Sequence, residues 1–144
     1  MDFDKSILRE ADIRGIYPHQ IDGAFATRLG KVFGSYTKRL GKSYVVVGHD
    51  NRFGGHHLTK TLIEGLISTG IDVIYVGLVT TPMFNFACRK LGLEYGIMVT
   101  ASHNPANENG FKIFGKDFLH LKKEELEKVY ELIKTRLFGK GIGS

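Results

Sequence analysis

Residues 95–114 read YGIMVTASHNPANENGFKIF, and this stretch decides the predicted fold. Its two apolar ends, 95–100 and 110–114, have the length and composition of buried strands. The loop between them contains no segment with helical periodicity and only about ten residues. A parallel return needs a crossover of roughly a dozen residues or more, usually a helix. The second strand is therefore expected to run antiparallel beside the first.

The rest of the chain alternates strands with helices. The runs SYVVVG and DVIYVG are continuous apolar stretches, which predicts two strands that are buried on both faces. Such alternation indicates right-handed crossovers and a parallel sheet covered by helices. Gly30 and Gly34, four residues apart, predict that another element approaches the first helix closely. Helical periodicity places helices at 21–40, 58–67, 81–91 and 122–137.

The predicted fold class is thus α/β, a three-layer α/β/α sandwich. Its mixed sheet is expected to contain about four core strands, with the last strand, at about 110–114, antiparallel. The chain of 144 residues fits one domain, over residues 1–138. The glycine-rich end, residues 139–144, is typical of the start of an interdomain linker.

The composition argues against a membrane protein and against a secreted protein. The apolar runs are far shorter than the roughly 20 residues that span a bilayer, so no membrane partner is expected. The N-terminal residues lack the pattern of a signal peptide. The single cysteine, Cys88, excludes an internal disulfide and fits a reducing compartment. These features together predict a cytoplasmic location.

The net charge of +5 suggests an anionic partner. A nucleic-acid surface would show a basic stripe with interleaved aromatic residues. Here the basic residues are dispersed, and the pair Lys122 and Lys123 is followed at once by acidic residues. No nucleic-acid partner is therefore expected. A phosphorylated small molecule accounts equally well for a modest positive excess.

One edge of the sheet concentrates the polar side chains, because the carboxyl ends of parallel strands meet there. The loops at this edge read GHDNRFGG (48–55), GLVTTP (77–82) and TASHNP (100–105). The third loop carries Ser102 beside His103, and Lys112 brings a cation back from the following strand. Asp50 and Arg52, in the first loop, are expected to brace their loop rather than to do chemistry.

The residues alone allow two other roles for Ser102, in addition to membership of a ligand-binding site. It can be part of a plain polar turn shaped with Asn104 and Pro105. It can also be the nucleophile of a serine hydrolase, but the loop lacks the G-x-S-x-G elbow that exposes such a nucleophile. Acyl transfer is therefore disfavoured.

The motif TASHNP followed by NGFK resembles the active-site phosphoserine loop of the α-D-phosphohexomutase family, the phosphomannomutases and phosphoglucomutases. Upstream, ADIRG is similar to the N-terminal signature of that family. The segments VVVGHDNR and VGLVTTP match its strand-end loops, so the resemblance runs from about Ile7 to the last helix. It implies that the chain is the N-terminal phosphoserine domain, domain I, of a four-domain enzyme whose other domains are absent from this sequence.

The resemblance implies a phosphoryl carrier at Ser102. The phosphoserine would give its phosphoryl group to a phosphorylated hexose, through a hexose 1,6-bisphosphate that serves as intermediate and activator. It also implies Mg²⁺, which suits phosphate oxygens and carboxylates. The Asp-rich metal loop of the family does not occur in the sequence. This chain would thus bind the metal through the Ser102 phosphate oxygen, with the other ligands outside it, and the isolated chain is expected to be inactive.

Four further residues take roles by position in the same motifs. Lys112 would be a general acid or base, or a cation for the transferring group; a lysine kept for solubility at a strand edge is the alternative. His103 would exchange protons with a sugar hydroxyl, or simply bond the loop backbone. Arg14 would donate to phosphate, and a surface ion pair with Asp12 is the alternative. Asn104 would help Arg14 and Lys112 to bind phosphate.

The predicted function is the interconversion of hexose 1-phosphate and 6-phosphate, with mannose or glucose as the sugar. TASHNP and NENGFK resemble the phosphomannomutase/phosphoglucomutase branch more than the phosphoglucosamine mutase branch, which stays an alternative. A non-catalytic domain that binds sugar phosphates is another. The residues that choose the sugar are implied to lie outside this chain.

Overall fold

The structure, a computed structural model, describes residues 5–9, 12–101 and 104–135. No helix within these ranges is both long and apolar enough to cross a membrane. The regular elements, in chain order, are a 3₁₀ turn Lys5–Ile7, β1 Ile13–Ile16, α1 Gly23–Arg39, β2 Tyr44–His49, α2 Gly55–Ile67, β3 Asp72–Leu78, α3 Thr81–Lys90, β4 Gly96–Val99, β5 Glu108–Phe114, a 3₁₀ turn Lys116–Phe118 and α4 Lys123–Thr135.

The strands of the described residues form one five-stranded sheet in the order β1-β5-β4-β2-β3. Strand β2 lies parallel to both β3 and β4. Strand β5 runs antiparallel to β4, with Val99 opposite Phe111, which confirms the expected antiparallel return. It begins slightly earlier than predicted, at Glu108. Strand β1 pairs with the other side of β5 and adds a fifth strand to the expected core.

Alternate residues of each strand point to opposite sides of the sheet, and each side is covered by helical elements. On one face α1, α2 and α4 pack over a large core that includes Val45, Val47 and Ile97. On the other face α3 and the 3₁₀ turn 116–118 cover a smaller cluster around Val46 and Met98. The predicted three-layer α/β/α sandwich is therefore confirmed.

Helix α1 lies close to α2, as the glycine spacing predicted. A Cβ placed at Gly30 would lie 2.8 Å from the backbone nitrogen of Leu66. A Cβ at Gly34 would lie 3.1 Å from Cγ2 of Thr69. Any larger residue at Gly30 would meet backbone atoms, which cannot move aside as a flexible side chain can. The glycines thus let the two helices pack at short range.

Helix α3 begins at Thr81 as predicted, whereas the expectation about β3 is wrong. The N-cap of α3 is Thr80, whose hydroxyl accepts a bond from Met83 N–H at 3.3 Å. Strand β3, expected to be buried on both faces, is largely exposed: Tyr75 is 51% and Leu78 64% exposed. The reason is its place at the end of the sheet, where it has a neighbouring strand on one side.

Candidate functional site

The carboxyl ends of β2 and β4 are joined by Asp50. Its backbone N–H donates to the Val99 carbonyl at 3.2 Å. Its Oδ2 accepts a bond from the Thr100 hydroxyl at 2.5 Å, and its Oδ1 accepts one from Arg52 N–H at 3.2 Å. One carboxylate therefore connects the loop after β2 with the loop that carries the Ser-His pair.

Arg52 clamps the second half of that loop. Its guanidinium donates to the backbone carbonyls of Asn104 at 2.7 Å, Pro105 at 2.9 Å and Glu108 at 3.3 Å. Its Nε also lies 3.9 Å from Asp50 Oδ2. The side chain is only 14% exposed, so these bonds are partly shielded from water. The contacts agree with the expectation that Asp50 and Arg52 brace this region.

Arg14 reaches the same loop from β1. Its Nη1 donates to Asn104 Oδ1 at 2.6 Å, while Asn104 Nδ2 donates to Glu108 Oε1 at 2.7 Å. Its Nε donates to Asp12 Oδ2 at 2.5 Å. The ion pair between Asp12 and Arg14 that was the alternative is present, but it does not lie at the surface as expected, because Asp12 is 1% exposed. Arg14 and Asn104 are thus brought together across two elements.

Lys112 lies on the same face of the sheet as Arg14. Arg14 pairs with Gly110, and residues two apart on β5 share a face. A Cβ at Gly110 would lie 2.9 Å from Arg14 Cα, so glycine permits the approach of the two strands. Lys112 Nζ lies 3.6 Å from Asp12 Oδ2. Since β5 is flanked by β1 and β4, the alternative of a lysine at an open strand edge is wrong.

Ser102 and His103 lie outside the described residues. The residues on either side are in place: Asn104 N–H donates to the Ala101 carbonyl at 3.0 Å. Ala101 is buried, and Thr100 N–H donates to the Gly110 carbonyl at 2.9 Å. The loop is therefore anchored on both sides of the pair. The expected roles of Ser102 and His103 stay predictions.

Sequence reasoning named Asp12 only as an ion-pair partner of Arg14 and missed both its burial and its contact with Lys112. Its carboxylate lies between Arg14 and Lys112, and its Oδ1 is buried with no hydrogen bond to any residue in the described ranges. An acidic residue just before an apolar strand residue is a weak signal. It gains weight only when the chain is known to pair β1 with β5, which the sequence pattern did not reveal.

The described residues do not by themselves fit a divalent cation. Within residues 5–9, 12–101 and 104–135 no group of three or more His, Cys, Asp or Glu side chains could hold a metal ion. The carboxylates of the site already have other partners. Asp12 contacts two cationic side chains, Asp50 accepts from Thr100 and Arg52, and Glu108 accepts from Asn104. The residues described therefore leave no carboxylate pair aimed at a common point.

Comparison with known proteins matches nearly the whole chain to one family. A family model described as phosphoglucomutase/phosphomannomutase, alpha/beta/alpha domain I, matches residues 5–140. The chain is 43% identical over 122 residues to a phosphoglucomutase/phosphomannomutase of Thermococcus kodakarensis, a match that covers 83% of this chain and 27% of that protein. It is 41% identical over 124 residues to a phosphoglucosamine mutase of Leuconostoc citreum, with the same coverage of 83% and 27%.

A solved structure shares the fold. A phosphoglucomutase/phosphomannomutase family protein of Burkholderia thailandensis superposes with a TM-score of 0.83 at 33% identity. The superposition covers 94% of this chain and 31% of that one. The chain thus spans less than a third of the length of each of these similar proteins.

Proposed function

This chain belongs to the phosphoglucomutase/phosphomannomutase family, whose α/β/α domain I it matches, and on that premise we propose that it is the phosphoserine domain of a hexose-phosphate mutase. The family expected from the loop residues is confirmed, and the activity is the proposal. It rests mainly on one observation: Arg14 from β1 and Asn104 are bonded directly beside the loop that contains Ser102, with Lys112 on the same face.

The proposed reaction moves a phosphoryl group between Ser102 and sugar oxygens. A hydroxyl of the hexose phosphate attacks the phosphorus, the bond from phosphorus to Ser102 Oγ breaks, and the serine oxygen takes up the proton that the hydroxyl releases. The hydroxyl gives up its proton to Lys112 or His103, and the resulting 1,6-bisphosphate turns over and returns its other phosphate to Ser102. Phosphoryl transfer depends chiefly on positioning and charge neutralisation. Arg14 and Lys112 would supply both.

Charge balance supports a further cation at this site. Among the described residues the network contains three cationic side chains, Arg14, Arg52 and Lys112, and three carboxylates, Asp12, Asp50 and Glu108. A phosphoserine adds about −1.5 to −2 charges at neutral pH. The phosphorylated site would then be negative overall. Mg²⁺ would neutralise this excess, and its ligands other than the Ser102 phosphate oxygen are proposed to lie outside this chain.

The proposal also covers the domain boundaries of the protein and the identity of its sugar substrate. Residues 1–138 would form the domain, residues 139–144 would begin a linker, and further domains would complete the active site in the cytoplasm. Mannose or glucose phosphate is the proposed substrate. Glucosamine phosphate is the second candidate, because a relative named phosphoglucosamine mutase is nearly as similar, at 41% identity, as the phosphoglucomutase/phosphomannomutase at 43%.

The test is turnover by the full-length product of the gene that encodes this chain. It is assayed with the 1-phosphates of glucose, mannose and glucosamine, with Mg²⁺ and a trace of the matching bisphosphate. We expect isomerisation of at least one sugar, and Ser102→Ala should lower kcat on the order of 10³-fold or more, as loss of a nucleophile does in other enzymes. Ser43→Ala, at an exposed serine remote from the site, is the matched control and should keep the wild-type rate.

Other outcomes overturn the proposal. Absence of turnover with every sugar, or full activity in Ser102→Ala, would exclude a phosphoserine mutase. Labelling of Ser102 by a fluorophosphonate probe would indicate a serine hydrolase instead. Turnover by the 144-residue chain alone at the rate of the full-length product would contradict the proposed need for further domains.

A further inference from the structure

Asp12 is an ionisable side chain at a buried position, where a charge is energetically unfavourable. Its side chain is 1% exposed, and moving a carboxylate out of water costs several kcal/mol unless it is paired and hydrogen-bonded. Both of its contacts fall on a single oxygen, Oδ2, while Oδ1 has no hydrogen bond within the described residues. A small apolar residue at this position would avoid that cost. Stability of the fold alone therefore does not account for a carboxylate here.

The backbone holds Asp12 where both cations can reach it. Arg9 N–H donates to the Asp12 carbonyl at 2.8 Å, and the next residue, Ile13, is fully buried. The register of β1 against β5 pairs Ile13 with Phe111, and Asp12 and Lys112 are the residues next to this pair. Two residues further along the chain, Arg14 turns back to the same carboxylate. Asp12 is thus held between a backbone hydrogen bond to Arg9 and the first paired residue of β1.

The contacts of Arg14 fix the orientation of its guanidinium group. Nε is bonded to Asp12 and Nη1 to Asn104, so two sides of the planar group are fixed. Its Nη2 makes no hydrogen bond to any residue of the described ranges. A guanidinium held in this way presents its remaining donors in one direction, which suits an anion with several acceptor oxygens.

We propose that Asp12 is a positioning residue for phosphoryl transfer, which holds Arg14 and Lys112 together so that both face the phosphate carried by Ser102. The inference rests on the proposed function. Asp12 itself touches neither phosphate nor sugar in this account; it acts through the two cations. Its effect on the rate should therefore become smaller when one of the two cations that it positions is removed.

A double-mutant cycle on the full-length gene product tests this dependence. Asp12→Asn keeps the shape of the side chain but removes its charge, and we expect kcat to fall by about 10- to 100-fold with little change in KM, because a misplaced group costs that much. In an Arg14→Met background the same substitution should cost at least threefold less than in the wild type, because only its effect through Lys112 remains and residues that act through one another are non-additive. An equal loss in both backgrounds would overturn the proposal.

The matched control is Asp22→Asn, which removes the same charge at the N-cap of α1. Asp22 Oδ1 accepts from Phe25 N–H at 2.8 Å, and asparagine caps a helix equally well. This variant should keep the wild-type kcat. Urea unfolding of every variant separates lost activity from lost fold. If Asp12→Asn does not fold, Asp12→Ser, which retains a small acceptor, replaces it in the cycle.

A second measurement is independent of turnover. In the ¹H–¹⁵N spectrum of the 144-residue chain, the Nε–H signal of Arg14, assigned by its absence in Arg14→Met, should exchange slowly with water. Asp12→Asn should raise its exchange rate at least tenfold, and an unchanged rate would overturn the positioning contact. If the contact is confirmed but the full-length product isomerises no sugar, the proposed function fails while the observed pairing stands.

Discussion

The two ends of the sheet break the usual rule of burial in opposite ways. At the β1–β5 end polar groups are buried: Asp12 is 1% and Asn109 0% exposed. At the β3 end apolar groups are in solvent, with Tyr75 51% and Leu78 64% exposed. Exposed apolar residues are common on protein surfaces, whereas buried polar groups are costly unless they are bonded. The difference agrees with the proposal that the first end holds the functional site, and we expect the second end to contribute little to stability.

Among the substitutions that compare the two ends of the sheet, the largest effect is expected at the β1–β5 end, from Arg52. Arg52→Met removes three bonds to the loop carbonyls while keeping the length of the side chain. We expect kcat/KM of the full-length product to fall by about 100-fold, because the loop that carries Ser102 loses its clamp. Urea unfolding of the 144-residue chain should show a loss of about 2 kcal/mol.

The control for this substitution is Arg39→Met, at the exposed end of α1. It removes a helix C-terminal cation, so it should cost less than about 1 kcal/mol and leave turnover unchanged. Equal effects of the two substitutions on turnover would show that Arg52 has no special role in the loop.

A matched pair of threonine substitutions tests the stability side of the comparison. Val47 in β2 is fully buried, and Leu78 at the end of β3 is mostly exposed. Val47→Thr buries a hydroxyl and should cost about 2 kcal/mol. Leu78→Thr should change the free energy of unfolding by less than about 0.5 kcal/mol. Urea denaturation measures both, and a loss at Leu78 as large as that at Val47 would contradict the claim that the β3 end contributes little.

A smaller effect is expected from the pH dependence of stability. Cys88 in α3 is 2% exposed, and burial raises the pKa of its thiol from 9.0 to about 11. Above pH 9 the unfolded thiol ionises first, so the folded state loses stability as pH rises from 9 to 11. Between pH 8.5 and 10 the thiol should account for a loss of about 1 kcal/mol.

Cys88→Ala isolates this contribution. The substitution lowers stability at every pH by leaving a cavity, but the fall between pH 8.5 and 10 should be shallower than in the wild type. Burial also raises the pKa of Tyr95, which acts in the same direction in both proteins and therefore cancels in the comparison. Identical slopes for the two proteins would show that the thiol is not protected by the α3 layer.

The part of the fold that local patterns determine was predictable. The short loop before β5 required an antiparallel return, and the apolar runs located β2 and β4. The exposure of β3 was not predictable, because an apolar run has the same appearance in a central strand as in one at the end of the sheet. Which of the two it is depends on the order of the strands, and that order is set by contacts between distant segments.

The candidate site likewise has residues that the sequence could identify and one that it could not. Lys112 and Arg14 could be proposed from their motifs, and Asp50 and Arg52 could be assigned a bracing role. The buried position of Asp12 could not be read from the sequence, because its neighbour Lys112 is far along the chain and the four-residue strand β1 is too short for periodicity to identify. Strand pairing, rather than composition, makes Asp12 part of the site.

The most direct test of the account is a site-mapped mass measurement on the full-length gene product. After incubation with glucose 1,6-bisphosphate and Mg²⁺, the peptide that contains Ser102 should carry one phosphate, and the same peptide from Ser102→Ala should carry none. An unmodified Ser102 in the folded wild-type protein, or a phosphate on another residue, would contradict the claim that this edge of the sheet holds a phosphoryl group.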